Sequence, residues 1–228
     1  TVGFTRFGGG LALVWFGTGV GAAMLLGLPR RLWAPALAAL MAASALATSL
    51  FGFGPRLAAP FALVNALEAW LVARLLIFAR PRRDWLDSPG GLFWTIVIGG
   101  FAAPAIAAVP GGLAASFGAD GAWHAHAASW WAAHGLGTLI GFPLAMLAAG
   151  ATRVELRARW SRAAGLELAG HCALILAVSA LAIGQTRLPL LFLPIVPVLF
   201  AAFRCGREGA ALGTVIVAGA TLAALNSD

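Results

Sequence analysis

Charge is what this chain has least of: Asp, Glu, Lys and Arg together make up 10% of its 228 residues, and all 15 basic residues are arginine. So little charge excludes an ordinary solvated surface. With 61% apolar residues and a mean hydropathy of +0.91, the chain holds more hydrophobic surface than a soluble domain can bury. There are only two cysteines, Cys172 and Cys205, with no CxxC spacing, which argues against a disulfide framework and a cysteine zinc site. No P-loop, nucleophile elbow, dinucleotide fingerprint, HExxH motif or carboxylate dyad occurs, so these residues are not expected to form an enzyme of familiar type. The net charge of +7 comes from arginines in short segments between apolar runs. No basic stripe with interleaved aromatics accompanies them, so membrane lipids are the expected charged partners, and nucleic acid is not.

What is present is a series of long apolar runs punctuated by Arg, Gly and Pro. At about 20 residues per crossing, they predict an all-α, polytopic transmembrane helix bundle of about eight spans. The expected spans are 8–27, 33–52, 58–79, 91–114, 124–149, 164–183, 188–204 and 208–225, with residues 1–228 forming one integral-membrane domain. Counting arginines on alternate sides gives twelve on one (Arg30, Arg31, Arg74, Arg80, Arg82, Arg83, Arg153, Arg157, Arg159, Arg162, Arg204, Arg207) and three on the other (Arg6, Arg56, Arg187). The positive-inside rule makes the rich side cytoplasmic and puts both ends of this chain in the periplasm of a bacterial inner membrane. The chain begins with Thr rather than Met, so it is expected to be a fragment or a processed product, with residues 1–27 unlike a cleaved signal peptide.

The third span, PFALVNALEAWLVARLLIF at 60–78, carries Asn65 and Glu68 near its middle, three residues apart and so on one helix face. An acidic residue at a helix centre costs roughly 2.5–3.5 kcal/mol on insertion scales, so it is expected to face protein, a ligand or water. His134 lies about as deep in the fifth span, at 1.5 Å of rise per residue. If the two helices are neighbours, Glu68 and His134 form either a proton-linked or ligand-binding pair, or a mutually satisfied pair that fixes helix register.

Other polar groups read less sharply. His124 and His126, near Asp120 in an outer loop, have metal-ligand spacing, but interfacial polar residues are the simpler reading, and Trp123, Trp130 and Trp131 read as a membrane-interface belt. Glu167 and His171, four apart, read as a local hydrogen-bonded pair; bis-histidine haem between His134 and His171 has only burial in its favour, and no cofactor or metal is called for. The basic stretch 153–163 reads as a topology-setting loop, with a surface-lying amphipathic helix as the alternative. Gly17/Gly21, Gly137/Gly141 and Gly209/Gly213 are GxxxG spacings that suit packing within the chain first and between copies second. Pro104, Pro110 and Pro143 are expected to break helices locally.

Three stretches together resemble the membrane-associated sensor domain MASE, first type: LVWFGTGVGAAMLLGLPRRLWAP at 13–35, VNALEAWLVARLL at 64–76, and HGLGTLIGFPLAM at 134–146 followed by LPIVPVLFAAFRCGREGAALGTVIVA at 193–218. Asn65 and Glu68 stand where the family usually has Asn and Glu, whereas His134 occupies a position that is more often acidic. The resemblance implies a bacterial signal-sensing module without catalysis of its own, regulating a fused diguanylate cyclase or histidine kinase. It also implies flanking spans and an output domain outside these residues, and it suits a homodimer through the parent protein. The expected site is Asn65, Glu68, His134 and Trp15, taking an unidentified small-molecule or lipid-soluble ligand. The alternative is a small proton-coupled transporter or permease.

Overall fold

The computed structural model describes residues 14–51, 54–81, 83–150, 161–185 and 190–225. Among them there is helix and no strand: α1 (Gly17–Gly27), α2 (Trp33–Phe51), α3 (Pro55–Ala79), α4 (Pro89–Ala115), α5 (Trp123–Gly150), α6 (Arg162–Ile183) and α7 (Ile195–Leu225). Five of these, α2 through α6, are long and apolar enough to cross a membrane, whereas α1 is a shorter apolar helix. The span count of about eight is therefore met only in this coarser form. The beginning of the first expected span, the basic stretch at 153–160 and Arg187 lie outside the described residues.

Two compact units divide the chain, one ending at Met146 and the other starting at Leu147. In the first, α3 is the hub, packing against α1, α2 and α4. It is also the most buried of the five long apolar helices. Pro55 at its first position, where the missing N–H costs nothing, follows Gly54, whose φ of 81° suits glycine.

Bulky side chains such as Leu63, Phe78, Phe93, Phe101 and Phe117 point outward, while many Ala, Gly and polar groups lie inside beside larger apolar side chains such as Leu25, Trp130 and Phe142. This is the distribution expected where lipid is as apolar as leucine and close backbone approach drives packing. Gly19 of α1 meets the α5 backbone: a Cβ there would lie 2.8 Å from the Phe142 nitrogen. Conversely, a Cβ on Gly137 would lie 2.1 Å from the Trp15 carbonyl oxygen, so the helices can approach this closely only because glycine stands on both sides. Along α3, Leu57, Phe61 and Val64 join Ala107 and Trp130 in one apolar cluster; Val72, Ala73 and Leu76 join Leu25, Trp33, Trp85 and Phe142 in another. Glu68 sits between them.

The loop after α3 is built rather than slack. Arg80 pairs with Asp84, and Nε donates to Oδ1 at 3.0 Å; Ser88 Oγ donates to Asp84 Oδ2 at 2.7 Å and accepts from the Gly91 amide at 3.0 Å as the N-cap of α4. The Arg80 and Ser88 hydrogen bonds hold the Asp84 carboxyl well below its ordinary value of 3.8, at about 2. Buried Trp85 donates through Nε1 to the Leu76 carbonyl at 3.3 Å, and its own carbonyl accepts from Thr95 Oγ1 at 3.1 Å.

The prolines do less than expected. α5 continues through Pro143 and α4 through Pro104 and Pro110, although α4 widens into a π turn over Ile96–Ala102, where the Ala103 amide bonds back five residues to the Ile98 carbonyl.

In the second unit α6 packs against α7. The expected separate spans 188–204 and 208–225 are two helical arms joined at Gly206, whose φ of 64° and ψ of −144° break the helix without a loop, and the first arm starts only at Ile195. Glu167 and His171 do not pair through their side chains. The Glu167 carboxylate binds Arg204, with Nε to Oε1 at 2.7 Å, while His171 Nδ1 lies 2.8 Å from the Glu167 backbone carbonyl. Once Arg204 supplies a full charge, the carboxylate has no need of the imidazole. Gly213 lets α7 approach Ile175 of α6, whereas Gly209 packs within α7 against Ala201.

Candidate functional site

Glu68 lies in the middle of α3 with no exposed surface. Its Oε2 accepts from two N–H groups of α5: Trp130 Nε1 at 3.2 Å and, with the carboxyl ionised, His134 Nδ1 at 2.7 Å. The two donors are four residues apart and therefore stacked on one helix face, so a single turn of α5 satisfies one oxygen twice. The Trp130 and His134 rings themselves stack, with centroids 4.2 Å apart and planes at 22°. Trp15, just before α1, stacks on His134 at 6.0 Å and 20°, and Thr18 Oγ1 of α1 is 3.4 Å from His134 Nδ1. Phe61, two turns before Glu68 on α3, meets Trp130 edge-on at 5.3 Å.

The backbone makes room for these rings. A Cβ on Gly111 of α4 would lie 2.4 Å from the Trp130 ring, so Trp130 occupies the notch that glycine leaves. Further along α5, Gly99 and Gly100 of the π turn press on Thr138, Leu139 and Gly135. The site is thus enclosed by α1, α3, α4 and α5 of one unit.

Four buried polar atoms here have no hydrogen-bond partner among the described residues: Glu68 Oε1, Trp15 Nε1, Thr138 Oγ1 and Asn65 Oδ1. An unmade hydrogen bond on a buried neutral group costs about 1–3 kcal/mol, and more on a charged one. These four include groups of both kinds, a carboxylate oxygen that accepts and an indole N–H that donates.

All four expected site residues are buried in this unit or line it, but they do not act as one set. Glu68, His134 and Trp15 come together. Asn65, although on the same side of α3 as Glu68, turns to α2, where its Nδ2 donates to Ser44 Oγ at 2.6 Å. Two partners lie outside the expected set, Trp130 and Thr18, and Thr138 lies one turn on from His134 with its hydroxyl unpartnered. Trp130 belongs to no interfacial belt, since it is 2% exposed and bonded to Glu68, whereas Trp123 and Trp131 are indeed outward. The signal was its spacing: Trp130 and Thr138 each lie four residues from His134, on its helix face. His124 and His126 belong to the first turn of α5, not to a loop; successive even positions on a helix diverge, and no cluster of three or more His, Cys, Asp or Glu occurs among the described residues.

The MASE1 family profile matches residues 2–227, essentially the whole chain. The chain belongs to the MASE1 family. MASE1 is a family of membrane sensor domains that are not themselves catalytic, in keeping with the apolar helices described above. No curated protein and no solved structure matches the chain.

Proposed function

We propose that this MASE1 domain is the sensing part of a bacterial signal-transduction protein of the inner membrane, regulating a fused diguanylate cyclase or histidine kinase. Its signal is a small or membrane-soluble ligand that binds at Glu68, His134 and Trp15, with Asn65 alongside. The observation that carries this reading is the Glu68–His134 contact at 2.7 Å with the second carboxylate oxygen buried and unpartnered. An acid whose partners leave one oxygen bare inside an apolar bundle favours whatever supplies the missing hydrogen bond.

For binding to transmit anything, the ligand must favour one of two helix packings, because equal affinity for both shifts nothing. The twelve-arginine side supports an orientation with the Arg80–Ser88 loop in the cytoplasm and residues 1 and 228 toward the periplasm. Output domains of these kinds work in pairs, which suits a homodimer of the parent protein. The test is output activity of the full-length protein carrying Glu68→Gln. A response lost or locked in one state is expected, and wild-type response under every condition tried would remove the reading.

The same contact suits a second reading, a small proton-coupled transporter in which Glu68 and His134 carry the proton. Proteoliposomes separate the two: a substrate flux abolished by Glu68→Gln favours transport.

A further inference from the structure

The π turn of α4 lies against the sensing site on one side and leads to the arginine-side loop on the other. Over Ile96–Ala102 the helix bonds i to i−5, with Pro104 just beyond unable to donate at all. Its inward residues are Ile98, Gly99 and Gly100. These touch α5 in a stripe that runs beside His134. The Gly100 carbonyl would meet a Cβ on Gly135 at 2.3 Å, a Cβ on Gly99 would be 3.1 Å from Thr138 Cγ2, and the Phe101 carbonyl accepts from Trp131 Nε1 at 3.1 Å. Gly135 follows His134 directly, and Thr138, one turn on, holds one of the unpartnered buried oxygens.

Toward the loop, the seven residues of α4 before the π turn are fixed at two points. Thr95 hydrogen-bonds the Trp85 carbonyl, and Ser88 caps the helix while holding Asp84, which holds Arg80. A wide turn with two glycines at its middle and a proline just beyond it is a local defect with a regular alternative. Taking up its extra residue in α register would rotate Pro89–Thr95 by about 100° relative to Ala103–Ala115. That rotation cannot leave the Trp85 and Ser88 attachments in place.

We propose that the π turn is the two-state element that couples the Glu68–His134 site to the Arg80–Ser88 loop: displacement of the α5 turn at His134–Thr138 changes the register of α4 and thereby releases or re-forms the loop. The inference rests on the site being the sensing input, but the coupling is testable without a ligand. Spatial continuity alone does not make a pathway; a segment with two arrangements that both ends bias does.

The experiment is hydrogen–deuterium exchange on the whole chain in lipid nanodiscs, comparing wild type with Glu68→Gln in two backgrounds. In the wild-type background, Glu68→Gln is expected to change exchange at amides 96–103 and 85–92 together, by roughly tenfold or more. Deletion of Val97, a half-buried residue of the π turn, holds α4 in α register, and the 85–92 amides should then no longer respond to Glu68→Gln. Should the deletion fail to give monodisperse protein, Gly135→Ala serves instead, because its Cβ pushes the Gly100 carbonyl off α5 and should abolish the same response. An undiminished 85–92 response in either background, or no response at 96–103 in the first, overturns the proposal. Failure of the sensing reading looks different: the exchange coupling is present while full-length Glu68→Gln signals as wild type does.

Discussion

Glu68 and Trp130 show how one buried carboxylate organises its neighbours. Trp130 gives it a hydrogen bond and packs against both His134 and Phe61. Trp130→Phe keeps most of the packing and deletes the N–H, so a loss of about 1–3 kcal/mol is expected in reversible unfolding in detergent. Trp123→Phe, on an exposed side chain, should be nearly silent in the same measurement. Asp84 tests the loop. With its pKa lowered from 3.8 to about 2 by Arg80 and Ser88, its contribution is full above its ordinary value and disappears as the pH falls through about 2. Fluorescence of the adjacent Trp85 should report this acid limb between roughly pH 4 and 2, and Asp84→Asn should remove it. A limb unchanged in the variant would mean that another group is responsible.

At the scale of elements, glycine decides which helices touch. A side chain at Gly137 runs into the Trp15 backbone, so Gly137→Leu must push α1 away from α5 and with it Trp15 from His134. Overpacking of this kind costs about 1–3 kcal/mol, measurable as a lowered thermal midpoint, whereas Gly150→Ala, with open space around it, should cost little. The helices were legible because long apolar runs have few alternatives in lipid: α3 was expected at 58–79 and spans Pro55–Ala79. The break at Gly206 was read as a short loop at 205–207, between the expected spans 188–204 and 208–225. In fact a single positive φ suffices, and Arg204 stays helical with Glu167 as its partner. The π turn left no periodic trace, since nearly every position around it is apolar.

At the scale of the whole molecule, the described residues set a few buried polar contacts within an apolar interior and expose many large apolar side chains. The depth argument, from 1.5 Å of rise per residue, put Glu68 and His134 at similar depth and left open whether their helices are neighbours. It could not assign Asn65 to Ser44 or Trp130 to Glu68, because helix neighbours follow from packing and not from depth. What the account depends on is that Glu68 and His134 form one coupled unit inside the bundle. A double-mutant cycle of Glu68→Gln and His134→Gln, read as unfolding free energy in lipid nanodiscs, tests this most directly. The account predicts a coupling energy of at least about 1 kcal/mol, because either variant alone strands the other's buried partner. Effects that add to within about 0.5 kcal/mol would contradict it.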